Sequence, residues 1–374
     1  MNNRERTMAI LNYQPYDHIP IIHFGYWRET LEKWSEEGHI GGEEALFWGD
    51  GNQYCEAIAK KLGFDFGWTC QFGSHTSLRP GFSEKTVKDL GNGKKHVMNG
   101  DGVINLVDDS IVSIPCEIDH TLKDRASWEE HYKHRMQFAP ERVDKKALDD
   151  YRARQERIDR PRGLNIGSLY GTIRNWLGVE GACYLYYDDE PLFDEIVNTM
   201  GDMCYRCAKE LLEQGGLQFD YAHYWEDICF NTGPLINPEV FREKIGPHYR
   251  RISDLLSAHG INIISLDCDG CVDALLPIWL ENGVNTMFPI EVGTWHASIA
   301  PWREKYGKEL RGVGGMDKKV FAFDYAAVDA EIERLKPLVA LGGYIPCPDH
   351  RIAPDAKWEN VQYYTERMRE EFWK

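Results

Sequence analysis

Short apolar runs rich in β-formers recur along the whole chain, each closing on a polar or glycine-containing patch and each followed by a stretch of helical periodicity. They fall at residues 18–25, 164–170, 218–225, 262–266, 286–290, 310–314 and 343–346. Amphipathic stretches occupy 190–212, 238–259, 272–282, 295–306 and 319–341. A helix between successive strands implies parallel pairing, since a tight turn can only return the chain antiparallel. Runs of this kind spread over 374 residues predict an α/β fold, a (β/α)8 TIM barrel with one strand still to be found.

The rhythm breaks between residues 65 and 119. There Asn92-Gly93 and Asp101-Gly102, dipeptides suited to hairpin turns, link β-rich segments, so an inserted antiparallel hairpin is expected in the N-terminal half. The charged stretch 121–162 reads as helices over the outside or rim. With no internal repeat and no low-complexity linker, residues 1–374 are expected to form a single barrel domain carrying this insertion.

Composition excludes several functions. The net charge is −17 and no basic block is present, which argues against a nucleic-acid partner. No run of about 18 apolar residues and no signal-type segment follows the N-terminus, so no membrane association and a cytoplasmic location are expected. The ten cysteines then read as thiols, ligands or nucleophiles. Cys204 and Cys207 lie on one face of an apparent helix and read as small core residues.

In a parallel barrel the reactive groups sit where the strands end. Here the strand ends carry His23, the run His223-Tyr224-Trp225-Glu226-Asp227, Asp267-Cys268-Asp269, Glu291, Asp317-Lys318 and Cys347-Pro348-Asp349-His350. Side chains alternate along an extended backbone, so Asp267 and Asp269 share a face and Cys268 points away. Asp267, Asp269, Glu291 and Cys347 could together form a mixed oxygen and sulfur site of a kind zinc accepts. The competing reading is local: Asp269-Gly270 turns the chain and Asp267 caps a helix. Glu226 and Asp227, adjacent acids beside Trp225, read as functional, since a carboxyl held against an indole suits a raised pKa and an acid's role; Glu226 is the expected catalytic acid, with Asp317 and His350 as acid–base or orienting groups. His23, Tyr26, His223, Tyr224 and Trp225 are the candidates for substrate binding, the aromatic ones as a wall for a flat molecule. His223 reads equally well as a core histidine.

Several ordered motifs carry a family resemblance. They are Arg4-Glu5-Arg6 leading to His18-Ile19-Pro20, Trp225-Glu226-Asp227 followed by Asn231-Thr232-Gly233-Pro234, Asp267-Cys268-Asp269-Gly270, Pro289-Ile290-Glu291, Gly314-Gly315-Met316-Asp317-Lys318 and Gly342-Gly343-Tyr344-Ile345-Pro346. On these residues the chain resembles the uroporphyrinogen decarboxylase superfamily, and within it the corrinoid-dependent methyltransferase branch. The haem-pathway decarboxylases hold substrate carboxylates with an arginine-rich segment after the first strand. Here that stretch is His23-Phe24-Gly25-Tyr26-Trp27-Arg28, aromatic and nearly uncharged.

The resemblance implies methyl transfer to a corrinoid carried on a partner protein. Several such methyltransferases use zinc bound by a His-x-Cys pair and a distant Cys. Asp267 and Asp269 stand at the first two of those positions and Cys347 near the third. A harder, oxygen-rich site suits polarising an ether or phenolic oxygen better than delivering a thiolate. The expected activity is therefore demethylation of a small methoxylated, aromatic or otherwise methylated compound. A cofactor-free decarboxylase or lyase on a small carboxylated substrate, and a non-catalytic barrel that binds a small ligand, are the alternatives. Neither the methyl donor nor the oligomeric state, a homodimer included, follows from the sequence.

Overall fold

The structure, a computed structural model, describes residues 1–108 and 111–373. Its strands in chain order are β1 (Ile22–His23), β2 (Phe66–Gly67), β3 (Phe72–Gly73), β4 (Lys85–Gly91), β5 (Lys94–Met98), β6 (Val103–Asp108), β7 (Ile111–His120), β8 (Gly163–Gly167), β9 (Tyr221–Trp225), β10 (Cys229–Phe230), β11 (Gly233–Pro234), β12 (Ile264–Asp267), β13 (Thr286–Phe288), β14 (Arg311–Met316) and β15 (Tyr344–Pro348). Seven of them form one sheet in the order β15-β14-β13-β12-β9-β8-β3, every neighbouring pair parallel. β1 and β2 form a separate parallel pair. β1 approaches the far end of the sheet through a parallel bridge between Tyr26 and Ile352, where the Ile352 N–H donates to the Gly25 carbonyl at 2.9 Å.

Two short strands outside the sequence pattern, β2 and β3, lie in different sheets and are separated by a turn at Trp68–Gln71 in which the Cys70 N–H donates to the Trp68 carbonyl. Two residues on either side of a turn are too short to show alternation. The long helices Glu190–Glu213, Gly246–Ala258, Tyr325–Val339 and Trp358–Phe372 cover the strands with apolar faces such as Leu192, Ile196, Met200, Cys204, Cys207 and Leu211. Cys204 and Cys207 are buried in that face as small apolar residues. No helix among the described residues is long and apolar enough to cross a membrane.

The insertion is larger than a hairpin and begins later than expected. Residues 65–73 belong to the parallel layer, and the antiparallel part is a four-stranded meander, β4-β5-β6-β7. Lys85–Gly91 is exposed along its whole length, so the alternation that marks a strand with one buried face is missing from its sequence.

Candidate functional site

The strand alternation that buries Tyr221 and His223 on one face of β9 carries Asp227 to the same side and Glu226 to the other. On β12 the same rule sets Ser265, Asp267 and Asp269 together. His223 Nδ1 and Ser265 Oγ meet at 3.2 Å across the two strands, which confirms a shared face. At the C-terminal edge of these strands one carboxylate oxygen each from Asp227, Asp267 and Asp269 lies within 4.8 Å of the others. The Asp269 N–H donates to Asp227 Oδ1 at 3.1 Å, and Arg174 donates to the Asp227 carbonyl at 2.8 Å. Asp227 holds a left-handed backbone, φ +47°, unusual for a non-glycine residue and fixed here by those two bonds.

Three carboxylates this close cannot all stay charged without a positive partner. Burial, then the charge of Asp269, pushes Asp227 up to about 7. Burial, then Asp227 and Asp269, pushes Asp267 well above the usual carboxylate range, opposed by Arg351. Arg351 is itself paired with Asp50 at 2.6 Å. His350 Nε2 meets Asp269 Oδ2 at 3.1 Å, while His350 Nδ1 and Asp269 Oδ1 are buried with no hydrogen-bond partner. The imidazole stacks on Trp27 at 5.3 Å and lies 5.2 Å from Phe24, which in turn meets the Phe288 ring edge-on at 4.5 Å. A cluster of mutually tilted aromatic rings thus adjoins the carboxylates.

A second tier of acids rings the first. Glu291 accepts from the Gly270 N–H at 2.6 Å and the Thr294 hydroxyl at 2.8 Å, and burial followed by the charge of Asp269 raises its pKa. Asp349 accepts from the Gly293 and Lys318 N–H groups, and burial raises it too, opposed by Lys318. Burial lowers the Lys318 ammonium pKa against the pull of Asp349, Glu291 and Asp269. Asp317 accepts from the Lys319 N–H at 3.0 Å and so caps the short helix Lys318–Ala322.

Of the residues singled out from the sequence, the structure therefore gathers Asp267, Asp269 and His350, with Glu291 one step away. Cys347 is fully buried and is not part of the close carboxylate group; Asp349 and the neutral phenol of Tyr364 are its titratable neighbours. Burial holds the His223 imidazole down at about 3, so it is neutral at pH 7 on the face below the carboxylates. Trp225 lies beneath the Arg174 guanidinium at 5.9 Å. Tyr224 points the other way, edge-on to Tyr249 at 5.0 Å. Tyr26 packs between Trp34 and Trp48, and His23 beside it reaches Cys55 and not the carboxylates. Asp227, which the sequence marks as a functional acid next to Glu226, joins the carboxylate group, whereas Phe24 and Trp27 are site residues to which the sequence reading gives no role. Alternation from His223 through Trp225 is the signal that reaches Asp227.

Glu226 has another setting. It is wholly buried, and its oxygens accept from the Leu169, Tyr170 and Gly171 N–H groups at 2.7–2.9 Å, from Ser168 Oγ at 3.0 Å and from the Tyr249 hydroxyl. It thereby closes the N-terminal end of the helix Gly171–Asp188, where unpaired backbone donors favour a negative charge. The approach is so close that a Cβ at Gly171 would be driven into the Glu226 carbonyl. Gly171→Ala is accordingly expected to cost several kcal/mol, in the range of strained or overpacked core substitutions. A denaturant melt matching wild type would show that the loop can shift instead.

A parallel α/β sheet with acids and aromatic rings converging at the carboxyl ends of its strands defines an enzyme-like molecule with its site where such folds bind ligands. Residues 175–371 match the uroporphyrinogen decarboxylase (URO-D) family, and the chain belongs to that family. No curated protein matches the sequence. Among solved structures, a methyltransferase from Methanosarcina mazei shares 14% identity over 99% of both chains with a TM-score of 0.60. A B12-independent methionine synthase from Shewanella sp. W3-18-1 shares 12% identity over 95% of this chain and 98% of its own, with a TM-score of 0.49. At these identities the likeness concerns the fold alone.

Proposed function

We propose that the chain is a methyltransferase that demethylates a small methoxylated, preferably aromatic, compound and passes the methyl group to a corrinoid-binding partner protein. In this reading residues 1–374 act as one cytoplasmic barrel domain, closed between β1 and β15 by the Tyr26–Ile352 bridge, with the four-stranded sheet as its insertion. The observation that carries it is the Asp227, Asp267 and Asp269 group beside the Phe24, Trp27 and Phe288 rings. Losing a methyl group from an ether leaves an oxygen anion, which needs a proton or a cation at once. A cluster short of positive charge supplies such a partner in either form.

In the protonic form the Asp227 carboxyl, still half protonated near pH 7, donates to the leaving oxygen as the bond to the methyl carbon breaks. The His350 and Asp269 pair then returns a proton from solvent, with Trp27 fixing the imidazole plane. Phe24 and Phe288 hold the substrate ring, and the corrinoid cobalt of the partner supplies the acceptor for the methyl group. Arg351, Arg174 and Lys318 each already face carboxylate or carbonyl oxygens, which makes the mouth poor at binding the carboxylates a decarboxylase must hold.

The donor set also fits a divalent cation. Asp227, Asp267 and Asp269 would hold it, and Lewis-acid polarisation of the leaving oxygen is what it would add. Three oxygens without the Cys347 thiolate suit Mg2+ or Mn2+ at least as well as zinc. Because two of the three carboxyls carry raised pKa values, cation binding is expected to release protons and to tighten as pH rises. Titration calorimetry in two buffers of different ionisation enthalpy measures that release, and Asp267→Asn should abolish it. Heat that does not depend on the buffer would sink the idea.

The activity itself is tested with the purified chain, free cob(I)alamin as a surrogate acceptor and a panel of methoxylated aromatics and methylamines. Formation of methylcobalamin together with the matching phenol is the expected result. Release of CO2 from carboxylated analogues with no methylation of cobalamin would overturn it in favour of a lyase.

A further inference from the structure

A cavity of about 600 Å3 opens between the helix Gln53–Leu62 and the segment 154–160. His23, Cys55 and Cys70 line it together, with Arg154, Arg157 and Arg160 on the facing wall. Cys55 stands in the first turn of that ten-residue helix, whose N-cap Asn52 accepts from the Tyr54 and Cys55 N–H groups. Its thiol neighbours both Cys70 and His23, which line the same cavity. His23 is buried, and neither of its ring nitrogens has a hydrogen-bond partner. Residue 67 is a glycine, and a Cβ there would stand 3.2 Å from His23 Nε2 and 3.5 Å from Cys70 Sγ. The space between imidazole and thiol is therefore kept open by the absence of a side chain.

Thiolates are favoured at helix N-termini and beside imidazoles. The neighbouring Cys70, and after it His23, holds the Cys55 thiol well below the ordinary thiol range against burial, while Cys55 and burial raise Cys70, with Arg160 opposing. Its place in the first turn of the helix and next to the His23 imidazole makes Cys55 the nucleophile and Cys70 its partner thiol. The methyl-transfer reading uses none of these residues.

We infer that Cys55 and Cys70 form an oxidisable thiol pair, in which Cys55 reacts with a hydroperoxide admitted by the cavity and Cys70 closes the disulfide. In the first step the Cys55 sulfur attacks one peroxide oxygen and the O–O bond breaks. The thiol proton passes to the departing oxygen, giving an alcohol or water and a sulfenic acid. In the second step Cys70 attacks the sulfenic sulfur, and water leaves with the Cys70 proton and the sulfenic hydroxyl. Sulfur loses two electrons overall and the peroxide gains them. The disulfide would tether the helix Gln53–Leu62 to the Trp68–Gln71 turn, whose Trp68 ring packs on Tyr221 at 4.7 Å.

The test treats the full, reduced, chelator-washed chain with one equivalent of hydrogen peroxide, alkylates the remaining thiols and maps them by non-reducing mass spectrometry. The expected product is a cross-linked peptide pair joining 55 to 70, formed at least tenfold faster than oxidation of the exposed Cys116. In Cys70→Ser, Cys55 should stop at a sulfenic acid that dimedone traps. In Cys55→Ser, Cys70 should stay reduced. Oxidation of Cys116 ahead of Cys55 would overturn the inference. So would a tightly held zinc ion, lost in Cys70→Ser, that protects both thiols in the untreated protein.

Discussion

Asp227→Asn is expected to lower methyl transfer by about 10²–10⁴-fold, the usual worth of a positioned general acid, while leaving the protein folded. The amide keeps the shape and can still accept from the Asp269 N–H, so the turn at residue 227 has its bond. What it lacks is an acidic proton for the leaving oxygen. Substrates with good leaving groups, such as nitro-substituted methoxyarenes, should lose the least. An equal loss across a series of leaving-group acidities would show that Asp227 positions the substrate and does not protonate it.

The same variant should change how stability depends on pH. The Asp227 carboxyl titrates near 7 in the folded chain and near 3.9 when unfolded. Between those values the folded state binds more protons than the unfolded one, so stability falls as pH rises. The contribution is whole below about pH 4 and gone above about pH 7. Asp267 shifts in the same direction and adds to the slope. For the metal-free wild type a loss on the order of 2–4 kcal/mol across this window is expected. Asp227→Asn removes both its own part and the charge that helps raise Asp267, so its slope should be much flatter. Denaturant midpoints at pH 5 and pH 8 with chelator present measure this, and parallel slopes would refute the coupling. Saturating divalent cation should flatten the wild-type curve as well, since it supplies the missing charge.

The parallel architecture was readable because its cause is local: an apolar run followed by a helical period leaves the chain no short antiparallel return. The pairing of Asp267 with Asp269, and the exclusion of Cys268, followed from two-residue alternation alone. That rule applied to β9 would equally have separated Asp227 from Glu226. The chemical attraction of a carboxyl beside an indole pointed instead to Glu226, whose neighbours Leu169, Tyr170 and Gly171 lie more than fifty residues away in sequence. At β1 the regular backbone lasts two residues before Gly25 turns it with φ +106°, so alternation gave no warning that Phe24 faces His350 while His23 faces Cys55. Cys347 lies in a strand in which every residue is buried, which erases the contrast between the two faces. The antiparallel insertion was legible from its turn dipeptides Asn92-Gly93 and Asp101-Gly102, but not its bounds or fourth strand, because Lys85–Gly91 is exposed throughout and shows no alternation.

Glu226→Leu is expected to cost about 3–5 kcal/mol, the range for breaking a buried charged network, and with it roughly 5–10 °C of Tm. Leucine fills much of the volume, so the loss arises from polarity. Three backbone N–H groups, the Ser168 hydroxyl and the Tyr249 hydroxyl would lose their acceptor in a place water does not reach. Glu226→Gln should fall between, since its amide keeps one accepting oxygen but turns an N–H group towards donors. Burial raises the Glu226 pKa, yet every partner it has is a donor, which favours the carboxylate and suits the adjoining helix N-terminus. The two roles open to this residue give different patterns. If Glu226 anchors the loop that leads into the helix Gly171–Asp188, stability falls first, and the surviving folded enzyme keeps a wild-type dependence on leaving group. If it is instead the acid that protonates the leaving oxygen, Glu226→Gln should melt like wild type and lose turnover most steeply with poor leaving groups. Thermal melts and a leaving-group series on the two variants decide between an anchor at Glu226, with the acid at Asp227, and the reverse.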